Sequence, residues 1–451
     1  MTKSPAWNPP TEEGQATDGL RVLVVNQYFP PDTAATAATT ADLAGALSDA
    51  GHRVSVLCGR PSYDPEETSP WRPLRRESRN GSDLERVGST SFDRRNMEGR
   101  TANYLSYLAM AGVRALAMPR PDVVVAGSDP PLAVWVALAA ARRRPVVYVV
   151  RDLHPDAAIA AGWLPPGPVA RVWERLHAAA LRRSALIVCL GETMAARLRD
   201  KGLALERIVV VPDGGRPPLQ TVEPTVVEEL RGGAEFVALH AGNLGSAGAW
   251  RTLVDAAKAV EGVRLLFVGD GAAATELRAR GADVVAFRPA SELASVMAAG
   301  DVQIVTVRSG MEGLVVPSKL YTALAHGRPV LAVAPSSSEV AHIVRQWRCG
   351  LIADPESPQE VARALTWMRN HPWDLEAMAA RSRNAGAFYA RDRCLQRLVS
   401  LIEAAAAGES DFSAEAAEID PGEPPTVIRQ ESPHEIMLDE ITEITEIRRR
   451  N

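Results

Sequence analysis

Short runs of valine, leucine and isoleucine alternate along this chain with longer stretches whose apolar residues recur at helical spacing. The rhythm breaks once near the middle and then restarts. A buried strand, a helix and another buried strand in succession call for a parallel sheet with crossover helices on its faces. The first series puts strands at Arg21–Asn26, Arg53–Cys58, Leu84–Val87, Asp122–Ala126, Val146–Val150, Ala185–Cys189 and Ile208–Val211. Helices are expected at Ala34–Ala50, Thr101–Met118, Leu132–Arg142, Val169–Arg182 and Thr193–Lys201, and residues 59–100, rich in Arg, Pro and Ser, read as a long loop around the short strand Leu84–Val87. Pro212–Thr225 carries three more prolines and two glycines and reads as an interdomain linker. The second series has strands at Phe236–His240, Leu265–Val268, Val284–Phe287, Val302–Val305, Pro329–Val333 and Gly350–Ile352, and a last helical stretch at Asp374–Ala407. The expected fold class is therefore α/β, with two doubly wound, Rossmann-like domains, residues 20–213 and 214–385.

The flanks differ from this body. Residues 1–19 are polar and Pro/Gly-rich and read as a disordered leader without the layout of a signal peptide. Residues 408–451 hold 12 carboxylates against 4 arginines, a net charge of -8 within a chain of net charge -5. The rest then carries +3, and the tail reads as disordered and solvated. Met437, Ile441, Ile444 and Ile447 recur there at helical spacing, which leaves a docking helix as the second reading. No basic excess points to nucleic acid. The longest apolar run, Leu132–Ala141, is too short to span a bilayer, so a cytoplasmic location is expected. Cys58, Cys189, Cys349 and Cys394 are far apart and read as buried thiols.

In open α/β sheets ligands bind beyond the carboxyl ends of the strands, so chemistry is sought at strand-to-helix junctions. His240–Gly248 places Gly242, Asn243 and Gly245 after a strand, where backbone can approach an anion at the next helix start. An ordinary tight turn is the alternative. Gly269, Asp270 and Gly271 open a GxGxxA pattern, but the next strand runs into Arg288 and Pro289 where a dinucleotide site needs an acid, which argues against NAD or FAD. Pro317 and Ser318 mark a helix start that puts Lys319, one of four lysines, in the first turn. A cation opposes the helix dipole there, so the residue reads as a phosphate clamp, with Arg308 assisting and a solvated lysine as the alternative. Asp152, His154 and Asp156 share a strand exit where a carboxylate and an imidazole can handle a hydroxyl proton. Asn26, Asp32, Thr33 and Thr36 line the first strand exit and suit a hydroxylated ligand, or simple turn chemistry. No motif for a metal site is found.

The segments QYFPPDTAATA, GHRVSVLCGRPSYD, YVVRDLHPDAAIAAGWL, HAGNLGSAG, FVGDG and LVVPSKLYTALAHGRPVLAV, in this order, resemble family 4 glycosyltransferases of the GT-B fold, in the branch of surface-polysaccharide assembly. The resemblance covers about residues 20–400. It implies an acceptor domain at 20–213, a nucleotide-sugar domain at 214–385 and a helix at 386–407 crossing back over a central cleft. It implies transfer of a hexosyl or N-acetylhexosaminyl unit, with retention and without a metal or other cofactor. By the same resemblance Gly242, Asn243, Gly245, Gly269, Asp270, Gly271, Arg288, Ser318, Lys319 and Thr322 hold the donor. Thr322 stands where the family's ribose-binding glutamate is expected. Asp152, His154, Arg308 and Lys319 are then catalytic, and Asn26, Asp32, Thr33, Thr36 and Asp156 meet the acceptor. A lipid-linked acceptor at the inner face of the membrane would suit Thr101–Met118, flanked by Arg94, Arg95 and Arg100 and carrying Arg114. A core helix is the other reading. A nucleotide-sugar epimerase and a non-catalytic scaffold are the rival functions.

Overall fold

The computed structural model describes residues 19–61, 70–93 and 97–414. The expectations for the leader before Gly19, for Arg94 and Arg95 and for the tail after residue 414 lie outside the described residues. In the first lobe β1 (Arg21–Val25), α1 (Ala35–Asp49), β2 (Arg53–Gly59), β3 (Leu74–Arg79), β4 (Ser82–Val87) and α2 (Met97–Ala117) lead to β5 (Val123–Ala126), α3 (Ala133–Ala141) and β6 (Val146–Val150). There follow α4 (Asp156–Ala160), α5 (Pro168–Arg183), β7 (Leu186–Cys189), α6 (Glu192–Asp200) and β8 (Ile208–Val210). The second lobe runs through α7 (Pro224–Arg231), β9 (Phe236–Ala241), α8 (Trp250–Ala257), β10 (Val263–Val268), α9 (Ala274–Ala279) and β11 (Asp283–Val285). It continues with α10 (Leu293–Ala299), β12 (Val302–Thr306), α11 (Lys319–Ala325), β13 (Val330–Val333), α12 (Glu339–Trp347), β14 (Gly350–Ala353), α13 (Pro358–Asn370) and α14 (Pro372–Phe388), before a final α15 (Arg391–Ala407).

The first sheet has the order β3-β4-β2-β1-β5-β6-β7-β8, parallel except for β3. The second has the order β11-β10-β9-β12-β13-β14 and is parallel throughout. Each lobe thus reverses its winding beside its first strand, between β1 and β5 and between β9 and β12. The Val-rich runs that predict strands are buried along their length because helices cover both faces. The expected loop over 59–100 is corrected: it contains the hairpin β3–β4. The strand β3 has the sequence LRRESR and no apolar run, since it is an exposed edge held by cross-strand charges, Arg86 to Glu77 at 2.6 Å and Arg76 to Glu85 at 3.3 Å. Asn80-Gly81, both at positive φ, turns the hairpin.

The expected single stretch Asp374–Ala407 is also two helices. At Tyr389-Ala390 the chain leaves the second lobe, and α15 packs its Leu398, Leu401 and Ile402 side against α1 and against β5 and β6 of the first sheet, where Val123, Val125, Val147 and Val149 share its apolar cluster. The outgoing and returning chains run side by side there: Gly215 donates to the carbonyl of Tyr389 and Arg391 donates to that of Gly215, both at 2.9 Å. Arg391, 7% exposed, binds Asp42 of α1 at 2.7 Å and the carbonyl of Asp213 at 2.5 Å.

Candidate functional site

In the second lobe the loops after β9, β10 and β12 meet at the winding reversal. The amide of Gly242 donates to Val268, that of Leu244 to Asp270, and that of Arg308 to Ala247, each at 2.8 Å. Gly269 lies at φ +153, and a Cβ there would strike the carbonyl of Gly242; Gly271, at φ +152, faces Asn243 and Leu244 equally closely. Glycine is what allows these loops to stack. Beneath them His240 is buried, its Nδ1 donating to Ile304 at 3.0 Å and its ring edge-on to Trp250. Burial pushes its pKa down to about 3, so it is neutral.

Lys319, the first residue of α11, lies across this floor. Its stem covers Gly242, where an added Cβ would run into Cε, and Nζ donates to the carbonyl of Asn243 at 3.3 Å. No carboxylate among the described residues pairs with it. Part of the side chain keeps access to the cleft, yet the surrounding protein removes enough water to lower its pKa to about 8. A cation held against desolvation by one carbonyl is set to receive an anion. Ser318 precedes it with an exposed side chain that caps nothing, and Thr322 sits one turn on, half-buried. Asn243 and Asp270 are exposed at the same rim, and Gly245 accepts from the indole of Trp250 at 2.6 Å. Arg288 does not reach this floor freely: Glu229 and Glu292 hold its guanidinium, each at 2.8 Å.

In the first lobe the loops after β1 and β5 meet in the same way. Gln27 donates its amide to Asp129 at 2.8 Å, and Asn26 is buried with Nδ2 on the carbonyl of Tyr28 at 2.8 Å. Asp32 is buried within the field of Arg86, while Thr33 is exposed and Thr36 is half-buried at the start of α1. Asp152 follows β6. Burial, then the neighbouring Asp129 and Asp213, push its carboxyl up to about 7, partly opposed by Arg151. Arg151 is itself ion-paired with Asp213.

Two candidates from the same strand exit turn elsewhere. His154 stacks on Trp173 of α5, with ring centroids 5.6 Å apart, and burial lowers its pKa to about 4. Asp156 is bound by Lys201 at 2.8 Å on the outer side of α4. The short helix α4, absent from the sequence reading, begins at Asp156. Asp129 and Asp213 were not singled out. The Gly127-Ser-Asp-Pro-Pro segment after β5 was the available signal for Asp129, whereas Asp213 is brought in by the chain crossing.

The two walls touch through main chain. Leu153 donates to Leu314 at 2.9 Å, and Asp152 forms a bridge with Val315, four positions before Lys319. Arg308 donates to the carbonyl of Ala160 in the opposite lobe. Glu339, at the start of α12, accepts from both the amide and the hydroxyl of Thr193 in α6, each at 3.0 Å. Asp152 is thus bridged to the segment that leads into Lys319. Among the described residues no group of three His, Cys, Asp or Glu is placed to hold a metal ion.

Two parallel α/β lobes, each with its winding reversal opening on a shared crevice and joined by a returning C-terminal helix, define the GT-B class of fold. The chain belongs to the GT-B glycosyltransferases: residues 35–214 match the glycosyl transferase 4-like domain and residues 235–371 match glycosyl transferases group 1. A Pseudomonas aeruginosa protein described as glycosyltransferase WbjE is 27% identical over 54% of this chain and 66% of its own length. An Escherichia coli K12 protein described as colanic acid biosynthesis glycosyl transferase WcaI is 22% identical over 77% of this chain and 91% of its own length. Among solved structures, sucrose-phosphate synthase from Thermosynechococcus elongatus superposes with a TM-score of 0.69 at 15% identity, covering 86% of this chain and 99% of that one. Anabaena Alr3699/HepE, solved with UDP-glucose, gives 0.61 at 19% identity, covering 85% and 98%.

Proposed function

We propose that this glycosyltransferase moves a hexosyl or N-acetylhexosaminyl unit from a nucleoside-diphosphate sugar to an acceptor hydroxyl, with retention, in surface polysaccharide or glycoconjugate assembly. The observation that carries the reading is Lys319, a desolvated ammonium with no carboxylate partner among the described residues, lying across Gly242 at the winding reversal of the second lobe. The Escherichia coli relative supports the polysaccharide setting, and the UDP-glucose bound by the Anabaena protein makes UDP-sugars the first donors to test.

As the bond from the anomeric carbon to the phosphate breaks, negative charge grows on the leaving diphosphate. Lys319, the free nitrogens of Arg308 and the amides of residues 245–248 meet that charge, so the chain's own groups serve where a metal ion otherwise would. Asp152, across the crevice, accepts a hydrogen bond from the acceptor hydroxyl and orients it on the face from which the diphosphate departs, and the departing phosphate oxygen takes its proton as the glycosidic bond forms. The loop Asn26–Thr36 holds the rest of the acceptor. Shared by both lobes, the crevice excludes water and limits hydrolysis of the donor.

Lys319→Ala tests the assignment. Its transfer rate is expected to fall by ~10²–10³, as for loss of one charge-stabilising contact. Calorimetric titration with UDP should show weakened binding, while the thermal transition stays in place. Near-normal turnover would remove Lys319 from the mechanism. Product analysis with and without acceptor excludes an epimerase if a glycoside forms only in the acceptor's presence.

A further inference from the structure

The helices α2, α3 and α5 lie side by side on one face of the first sheet, and each shows apolar side chains on its outer side. On α2 Leu105, Val113 and Leu116 are 62%, 73% and 59% exposed, and on α5 Val172 and Leu176 make a second stripe. Between them Trp135 and Leu138 of α3 are half-covered. Among the described residues no helix is long and apolar enough to cross a membrane, so these stripes are not the side of a span. Exposed apolar residues on three adjacent helices form a patch that calls for a cover.

The three helices end at the pole of the lobe away from the crevice, and the sheet order sets arginines in a row there. Arg120 precedes β5, Arg142, Arg143 and Arg144 precede β6, and Arg182 and Arg183 precede β7, three neighbouring strands. All six are exposed. Among the described residues none of them is ion-paired with a carboxylate; Asp122, just after Arg120, is taken up by Arg21 at 3.0 Å. Arg142 donates to the carbonyl of Leu116 and Arg183 lies over Trp135 at 5.4 Å, so the row borders the apolar patch. Arg114, placed on a membrane in the sequence reading, is instead held inside by Glu85.

The chain leaves the described residues at this same pole. After α15, Phe412 is buried and its amide donates to the carbonyl of Glu206 at 2.8 Å, just before β8. β8 is one strand from β7 and two from β6, about 5 and 10 Å at ordinary strand spacing, so the exit adjoins the arginine row. Residues 431–447, outside the described residues, hold six carboxylates and no lysine or arginine, with Met437, Ile441 and Ile444 at helical spacing. On a helix Glu440 and Glu443 border that apolar side.

We propose that residues 431–447 dock as a helix on the outer face of α2, α3 and α5 of their own chain, with the apolar side on Leu116, Leu138 and Leu176 and the carboxylates on the arginine row. Charge complementarity and the exit point select this occupant. The tether of residues 415–430 spans up to roughly 50 Å, enough to reach any part of the patch. It also holds the segment at an effective concentration on the order of millimolar, which a separate partner lacks. The proposal does not depend on which donor or acceptor the crevice takes.

Hydrogen exchange of the full chain at low salt, read by mass spectrometry, tests it. Amides in 436–447 should exchange on the order of tenfold slower than in a free peptide of that sequence. Hydroxyl-radical labelling should find Leu116 and Leu176 shielded. Arg143→Glu with Arg182→Glu, at exposed positions whose side chains bond nothing among the described residues, should release the segment with the thermal transition unmoved. Glu440→Arg with Glu443→Arg should do the same, and the four substitutions together should restore both protections. The proposal is overturned by free-peptide exchange in the unaltered protein, by protection that survives either pair of reversals, or by failure of the four together to restore it. Protection lost on dilution, as two copies separate, or gained only with anionic vesicles would overturn it equally.

Discussion

Asp152 and Lys319 are both titrated away from their usual ranges by burial, in opposite senses for their charges. Desolvation raises the carboxyl to about 7 and lowers the ammonium to about 8. For transfer that needs Asp152 ionised and Lys319 protonated, kcat/KM should rise with pH through about 7 and fall again above about 8, a narrow bell that belongs to the free enzyme. Asp152→Asn should remove the acid limb while leaving the alkaline one, which a pH–rate profile reads directly. Binding a diphosphate stabilises the protonated ammonium, so UDP binding should take up protons above pH 8 in calorimetry. Gly242→Ala is expected to displace the Lys319 stem and reproduce much of the Lys319→Ala loss, because a Cβ at φ +132 collides with Cε. The place of Lys319 was legible in sequence because Pro317 and Ser318 mark the helix start it opens. The carboxylates around Asp152 were not, since Asp129 and Asp213 lie on separate segments that only sheet order and the chain crossing bring together.

Elements with continuous apolar runs were legible, and those held by other forces were not. The strands β1, β2, β5, β6, β7 and β9 fall within a residue or two of expectation, since burial on both faces writes itself as Val, Ile and Leu. The edge strand β3 is fixed by arginine–glutamate pairs, and α4 is a single short helix at the crevice wall; neither leaves a periodic trace. The contact of α12 with α6 is likewise invisible in sequence, although Gly191 marks it: a Cβ at Gly191 would strike the Glu339 carboxylate. Glu339→Ala leaves the Thr193 amide without its acceptor and should cost ~1–3 kcal/mol, seen as a lower melting temperature. Glu339→Gln, which keeps one acceptor oxygen, should recover part of it. An unchanged melting temperature for both would show that the lobes do not rely on this contact.

At the scale of the molecule, the lobes are joined by the bridge at Asp152, the Arg308 and Glu339 contacts, and the double crossing at Gly215 and Arg391. Arg391→Ala takes the buried guanidinium away from the carbonyl of Asp213 and from half-buried Asp42, which keeps Arg216, and should destabilise the protein by ~1–3 kcal/mol, measured by denaturant unfolding. The helix that Arg391 begins completes the first lobe with residues made only after the whole second lobe has been synthesised. A nascent chain therefore emerges from the ribosome with the outer face of β5 and β6, including Val125 and Val149, uncovered until the last helix arrives, so the first lobe is the later of the two to mature.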